Sequence, residues 1–323
     1  MYALAGLIIE RVSKIPWEIF LKERLWQPLG MNETYASLDQ IPSSQSHVLP
    51  YMMIEEKITQ AEWSLPKEHI DAAGSVWSSI HDMSLWAQFL LRNGTTNEGN
   101  QLLSSASYNE MFTPQQLSSA DDFYPTVALT KPNWMTYGLG WFQQDFQGRM
   151  IDFHTGSLSG LIALIGLDRA NDKAVIVLAN QDHAEMRHAL LWQVMDQSLA
   201  PKDWNQLVFD LYQQQQQQFN AYIADLLKKQ IKNTSPSVEL QQYVGIYHND
   251  KIGEVSIVKN ADSNSLQLVF GSKEYRLLHW HYDAFYTDHP KQRVPFTVEF
   301  SLSFEGEIKN VAIFRQDFSK IGN

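Results

Sequence analysis

His154-Thr155-Gly156, with Ser157 and Ser159 just beyond, places a basic side chain, a hydroxyl and a bare glycine on successive positions of a short strand. Such a strand can lay its backbone along a substrate, because glycine lets another chain approach closely. It reads as the wall of a site, where a histidine can share a proton or meet an anionic group. The partners such a wall needs lie elsewhere. The chain has no cysteine, which excludes a thiol nucleophile, a cysteine zinc site and a disulfide framework.

A second constellation is His279-Trp280-His281-Tyr282-Asp283, where strand alternation would put both histidines and the aspartate on one face. Such a face can bind a metal. The same alternation also describes a polar outer face with Trp280 and Tyr282 turned inward. The outer-face reading is adopted, and no metal or cofactor is expected.

With 323 residues and 44% hydrophobic content, the chain can build two domains and a sizeable core. Its net charge of -11 is spread over short segments, which argues against nucleic-acid or anionic-membrane partners. Zero cysteine fits either a reducing or an oxidising compartment. Met1 to Ile9 is apolar but has no basic segment ahead of it and runs straight into Glu10-Arg11, so it reads as a buried helix and not as an export signal. No stretch has the uncharged length of a membrane span.

The elements that must position the wall follow from periodicity. Tyr2, Leu4, Ala5, Ile8, Ile9 and Val12 predict a first helix without a capping residue, which looks cut into. Pro16 opens a second helix that Pro28-Leu29-Gly30 stops, and an irregular segment runs from Asn32 to Ile70. Ser78 or Ser79 caps a third helix, with Asp82 placed to answer Ser79 in a capping box and Asn93-Gly94 at its end; a shorter helix spans Ser105 to Met111. Strands are expected at Tyr137 to Phe142, Met150 to Thr155, Leu161 to Leu167 and Lys173 to Ala179. A helix from Ala184 to Leu199 covers one face of that meander through Met186, Leu190, Leu191, Val194 and Met195. A polar helix with a glutamine run leads to Asn233-Thr-Ser-Pro-Ser237, and seven short strands then predict a small closed or nearly closed β-barrel. The fold class is α+β, divided as 1–200, a helical linker 201–237, and 238–323.

Six motifs in order carry a resemblance: Tyr2-Ala-Leu-Ala-Gly-Leu-Ile-Ile-Glu10, Pro28-Leu-Gly-Met31 with Thr34, Ala72-Ala-Gly-Ser75 with Asp82, Tyr137-Gly-Leu-Gly-Trp141, His154-Thr-Gly156 and Val175-Ile-Val-Leu-Ala-Asn180. Together they resemble the serine β-lactamase and penicillin-binding-protein-like hydrolases related to class C β-lactamases. The segment after Glu239 is similar to the lipocalin-like domain often attached to them. The resemblance implies a β-lactamase/transpeptidase-like fold and an acyl-serine route to amide or ester hydrolysis. It assigns His154 to the proton network and to anion contact, Thr155 to a substrate carbonyl or carboxylate, Gly156 to a flat wall, and the Ser157 N–H to the oxyanion. Full-length members are commonly exported.

The resemblance also implies a Ser-x-x-Lys helix and a Tyr-x-Asn loop, both expected upstream of Met1. Ser64-Leu-Pro-Lys67 has the spacing but is broken by Pro66, Ser256-Ile-Val-Lys259 lies in a strand, and Tyr247-His-Asn249 sits in the C-terminal domain. Gly156-Ser-Leu-Ser-Gly160 misses a nucleophile elbow because Leu158 holds its centre. The expectation is therefore the C-terminal part of a serine hydrolase, inactive alone. The alternatives are a non-catalytic ligand-binding or interaction protein, or half of a split enzyme. The Lys173 to Ala179 strand is expected as a bare sheet edge that a second copy or an N-terminal partner covers.

Overall fold

The computed structural model describes residues 1–54, 57–61, 71–158, 160–182, 184–260, 265–271, 273–288 and 296–322. It divides into two units, Met1–Gln216 and Gln217–Asn323.

In the first unit, helix α1 (Tyr2–Ser13) ends on Lys14 in the left-handed conformation. It was expected to be buried, yet only Gly6 is, while Leu4, Leu7, Ile8 and Val12 are each at least half exposed. Periodicity identified the helix, but it does not report whether anything lies against the apolar side. α2 (Trp17–Leu21) continues through a π turn (Lys22–Trp26) into Gln27–Leu29, and Gly30 stops it at φ 75°. The wider turn lies just ahead of Pro28, which lacks the N–H that regular helical pairing needs.

Ser79 caps α3 (Ile80–Leu91), its hydroxyl accepting from the Asp82 N–H at 3.2 Å. Asp82 does not complete the expected capping box. Its buried carboxylate instead accepts from Thr34 Oγ1 and the Glu33 N–H, both at 2.7 Å, and so ties the loop after Gly30 to this helix. Within the segment read as irregular, β1 (Tyr51–Ile54) and β2 (Lys57–Gln60) form a hairpin. α4 (Ser105–Phe112) follows, capped by Ser104.

The central sheet has the order β3-β4-β5-β6-β7-β8 and is antiparallel throughout. Its strands are β3 (Gln116–Leu117), β4 (Met135–Tyr137), β5 (Phe142–Phe146), β6 (Arg149–Leu158), β7 (Leu161–Asp168) and β8 (Lys173–Ala179). The single strand expected over Tyr137 to Phe142 is instead the reversal between β4 and β5. Gly138 donates to the Trp141 carbonyl at 2.8 Å, and Gly140 has φ 88°. Gln147-Gly148 forms the expected two-residue turn, both residues having positive φ. β8 is the last strand in the order, with no strand beyond it among the described residues.

α5 (Met186–Met195) packs on the sheet, but not in the expected phase. His188, Ala189, Leu191, Trp192 and Met195 are buried, while Met186, Leu190 and Val194 face outward. Trp192 sets this phase, its ring lying 5.1 Å from Phe146 and 6.1 Å from Phe153. α6 (Trp204–Lys228) follows.

The second unit is a closed eight-stranded barrel. Its strands are β9 (Gly245–Asn249), β10 (Gly253–Asn260), β11 (Ser265–Phe270), β12 (Lys273–His281), β13 (Ala284–Asp288), β14 (Thr297–Leu302), β15 (Ile308–Ile313) and β16 (Gln316–Gly322). β16 was not expected. It is reached by a two-residue turn whose φ values are 54° at Phe314 and 60° at Arg315, residues that give no turn signal. Tyr243, Tyr247, Phe300, Val298 and Phe318 pack together inside, so side chains fill this interior.

The metal-like alternation does not survive in this unit. A bulge falls between His279 and His281, β12 ends there, and Tyr282 turns outward at φ 46°. His279 bonds the Tyr282 carbonyl at 2.9 Å, His281 accepts from the Ile231 N–H at 3.3 Å, and Asp283 accepts from Ser237 and Tyr243. These contacts tie the linker to the barrel.

Candidate functional site

The register of β6 determines what the wall offers. β5 stops at Phe142, paired with Phe153, so among the described residues His154 to Leu158 have a strand neighbour only in β7. In the β5–β6 hairpin, Phe146 pairs with Arg149 around the two-residue turn Gln147-Gly148, and hydrogen-bonded and open pairs alternate back to Phe142 and Phe153, so Phe153 bonds toward β5 and the next residue toward β7. His154, Gly156 and Leu158 therefore bond toward β7. The N–H and C=O groups of Thr155 and Ser157 point to the side on which β5 has ended. A bound chain could pair with this unfilled edge.

Gly156 is exposed, and a Cβ built on it would meet nothing within 4 Å. Thr155 is buried, and its hydroxyl donates to the Ala163 carbonyl at 2.8 Å, leaving only its oxygen lone pairs for another group. The Ser157 hydroxyl accepts from Arg187 Nη1 at 2.9 Å. Ser159 and the Ser64-x-x-Lys67 sequence lie outside the described residues.

His154 is largely buried beside Phe142, with ring centroids 5.9 Å apart. Burial lowers its pKa below the usual histidine value, while a hydrogen bond to the Gly140 carbonyl partly opposes this. The imidazole is therefore neutral at neutral pH, a proton acceptor and not a fixed cation. Its Nδ1 has no hydrogen-bond partner among the described residues. The reversal that carries Gly140 also brings Tyr137 close to the start of α1, where the Tyr2 and Tyr137 hydroxyls lie 2.7 Å apart. Burial, reinforced by the Tyr2 hydroxyl, raises the Tyr137 pKa, so this phenol stays protonated.

On the other face of the sheet, Arg187 on α5 contributes more than packing. It is buried, holds Ser157, donates through Nε to His188 Nε2 at 3.4 Å, and pairs with Glu185 at 3.4 Å. Tyr124 is half-buried over the His188 ring, with centroids 4.8 Å apart, and burial raises its pKa. Sequence reasoning assigned no role to Tyr2, Tyr137, Arg187 or Tyr124. An arginine in the first turn of an apolar helix was the one signal available, since it marks a charge that needs a buried partner.

The wall can bind, orient and polarise a carbonyl-containing group. Among the described residues, no serine or threonine near it is paired with a lysine or histidine base. His279, His281 and Asp283 are far along the chain in the barrel unit and engaged as described above.

A helix-flanked antiparallel sheet with an unfilled wall strand is the scaffold of a β-lactamase-like hydrolase. A family model described as beta-lactamase matches residues 1–200, more than half of the chain, and the chain belongs to that family. Residues 229–322 match a domain of unknown function, DUF3471. An unguisins hydrolase from Aspergillus campestris (strain IBT 28561) is 26% identical over 290 residues, covering 82% of this chain and 49% of that protein. Penicillin-binding protein 4* from Bacillus subtilis (strain 168) is 24% identical over 208 residues, covering 59% of this chain and 41% of its own. The octameric penicillin-binding protein homologue from Pyrococcus abyssi shares the fold with a TM-score of 0.53 at 18% identity, over 99% of this chain and 63% of that one. The chain spans about half the length of the curated relatives it matches.

Proposed function

We propose that this chain supplies the substrate wall of a serine hydrolase that cleaves amides or esters through an acyl-serine intermediate. It is inactive until a Ser-x-x-Lys helix and a Tyr-x-Asn loop from outside residues 1–323 complete the site. The observation that carries the reading is the unfilled edge of Thr155 and Ser157, open beside a neutral histidine with no paired nucleophile facing it among the described residues. In the completed site, the Ser157 N–H donates to the carbonyl oxygen as negative charge develops there, and Gly156 lets the substrate chain lie flat. Neutral His154 takes part in the proton network. Its lowered pKa argues against a fixed cationic contact with an anionic substrate group.

The test is direct. Incubated with a fluorophosphonate probe or labelled penicillin, the chain should show no covalent adduct by intact-mass measurement. A stoichiometric adduct would overturn the claim that the nucleophile is absent. An in-frame Ser-x-x-Lys and Tyr-x-Asn upstream of Met1 would locate the missing half on the same polypeptide, and a separate coding sequence would make the enzyme split.

The edge of β8 supports the same reading. Ala174-Val-Ile-Val-Leu-Ala179 presents an apolar strand with one side unpaired among the described residues, an arrangement that folded proteins normally cover. The completing segment or a second copy is expected to lie on it. Light scattering on the isolated chain should show association or aggregation, and a stable monomer with exchange-labile amides along β8 would count against this proposal.

A further inference from the structure

The glutamine run takes no part in the wall. It lies in α6, where only Trp204 and Val208 of 25 residues are buried. Tyr212, Phe219, Ile223 and Leu226 make one side of this helix half-buried, and the opposite side faces water. From Leu211 to Ala224 the helix carries no charge on either side. A water-facing helix surface is normally charged, because charge keeps it solvated and pairs spaced four apart support it. Here one such ion pair is present, Asp225 with Lys229 at 3.0 Å, and it lies beyond the uncharged stretch.

The water-facing side has an order of its own. Asp210, Gln214, Gln217, Ala221, Ala224 and Lys228 recur at spacings of four, three, four, three and four residues, and all six are exposed. This is the repeat of about 3.5 residues that keeps a seam turned toward a second helix. Asp210 and Lys228, at its ends, stand about five turns or about 27 Å apart on one line of the helix. The seam is also symmetric about Phe219. Reversing the helix there exchanges Asp210 with Lys228, Gln214 with Ala224, and Gln217 with Ala221.

We infer that α6 pairs antiparallel with the α6 of a second copy of this chain along that seam. The contact is isologous, so each acid meets a base and each glutamine meets an alanine, twice over. The alanines leave the room that the glutamine side chains of the other copy fill, as large and small residues alternate across a packed layer. Gln206 Nε2 already donates to Asp210 Oδ1 at 2.8 Å, which holds the carboxylate on the helix surface. The charges at the two ends set direction and register, because parallel pairing would bring Asp210 against Asp210 and Lys228 against Lys228. The helix dipole accounts for an acid near the start and a base near the end of any helix. It does not account for both lying on one seam, nor for the exchange of glutamine with alanine about its centre.

The chain has no cysteine, so disulfide trapping reads this contact directly. An equimolar mixture of Asp210→Cys and Lys228→Cys, mildly oxidised in native buffer, should give a covalent dimer joining one variant to the other. Neither variant alone should cross-link, because its two cysteines would stand about 27 Å apart at opposite ends of the seam. Sedimentation velocity supplies a second reading. Asp210→Lys and Lys228→Asp should each weaken the dimer about tenfold, whereas a mixture of the two should associate and the chain carrying both changes should regain the parent's affinity. Both positions are exposed, and circular dichroism checks that the helix persists in each variant. Cross-linking within a single variant, a parent chain that stays monomeric, or association indifferent to the charge changes would overturn the pairing. Association through the β8 edge gives that last result and no link between positions 210 and 228, so the two contacts are told apart. The inference does not rest on the hydrolase reading.

Discussion

Replacing Asp152 by alanine is expected to destabilise the N-terminal unit by about 3 kcal/mol, the lower end of the range for breaking a buried charge pair. Asp152 is fully buried two residues before His154 and accepts from Gln143 Nε2 at 2.6 Å and Arg169 Nε at 2.7 Å. Gln143 also donates to the Phe112 carbonyl at 2.9 Å, and the Arg169 guanidinium sits 4.0 Å from the centre of the Phe112 ring. One carboxylate thus joins β5, β6, the turn after β7 and the end of α4. Burial raises its pKa, with Arg169 and Gln143 opposing, and loss of the carboxylate leaves their donors unmatched. Arg169 is 31% exposed and can recover hydration, which is why the lower figure applies. Nine of the ten tryptophans precede residue 205, so urea unfolding followed by tryptophan fluorescence reports this unit. Asp152→Ala with Arg169→Ala should cost less than the two changes summed. A single-variant effect under 1 kcal/mol would show that the network does not hold β6 in place.

The sequence made the wall legible because its evidence is local. His154-Thr155-Gly156 is contiguous, its strand alternates, and Gln147-Gly148 fixes the hairpin that sets its register. What it could not show depends on distant pairing. Tyr137-Gly-Leu-Gly-Trp141 has a strand-like composition, yet Gly138 closes onto Trp141, and a Cβ at Gly138 would lie 2.9 Å from the Met111 carbonyl. α5 could be located but not phased, because burial of Arg187 and His188 is stabilised by Ser157 and Glu185, which no helical period reveals. The barrel's last strand was hidden for a related reason. Phe314 and Arg315 adopt left-handed conformations without glycine or asparagine, so closure of the barrel imposes the turn.

The α1 surface and the β8 edge support the proposed incompleteness from the packing side. Leu4, Leu7, Ile8 and Val12 lie on water-exposed turns of a helix whose first residue, Tyr2, reaches the wall through Tyr137. An apolar helix face and an unpaired apolar strand are the two kinds of surface that a second segment buries when it packs on a domain. The wall and both open surfaces belong to the same unit, so one added piece could satisfy all three.

Acid should weaken the same unit through His188. The ring is fully buried, stacked 6.4 Å from Tyr212 and tilted 4.8 Å from Tyr124, and its Nδ1 has no partner among the described residues. Burial, with Arg187 beside it, lowers its pKa to about 4, against the partial opposition of Glu185. An unfolded histidine titrates near 6.5. Above about pH 6.5 both states are neutral and the group makes no pH-dependent contribution. As pH falls from there toward 4, the unfolded chain takes up a proton that the folded chain refuses, so stability falls by up to about 3 kcal/mol from this residue alone. His188→Phe keeps the stacked ring and removes the proton site. Urea midpoints at pH 7 and pH 4.5, read by tryptophan fluorescence, should fall more for the parent chain than for the variant. Because every other carboxylate and histidine is common to both chains, the difference in slope isolates His188, and parallel pH profiles would show that its burial carries no proton-linked strain.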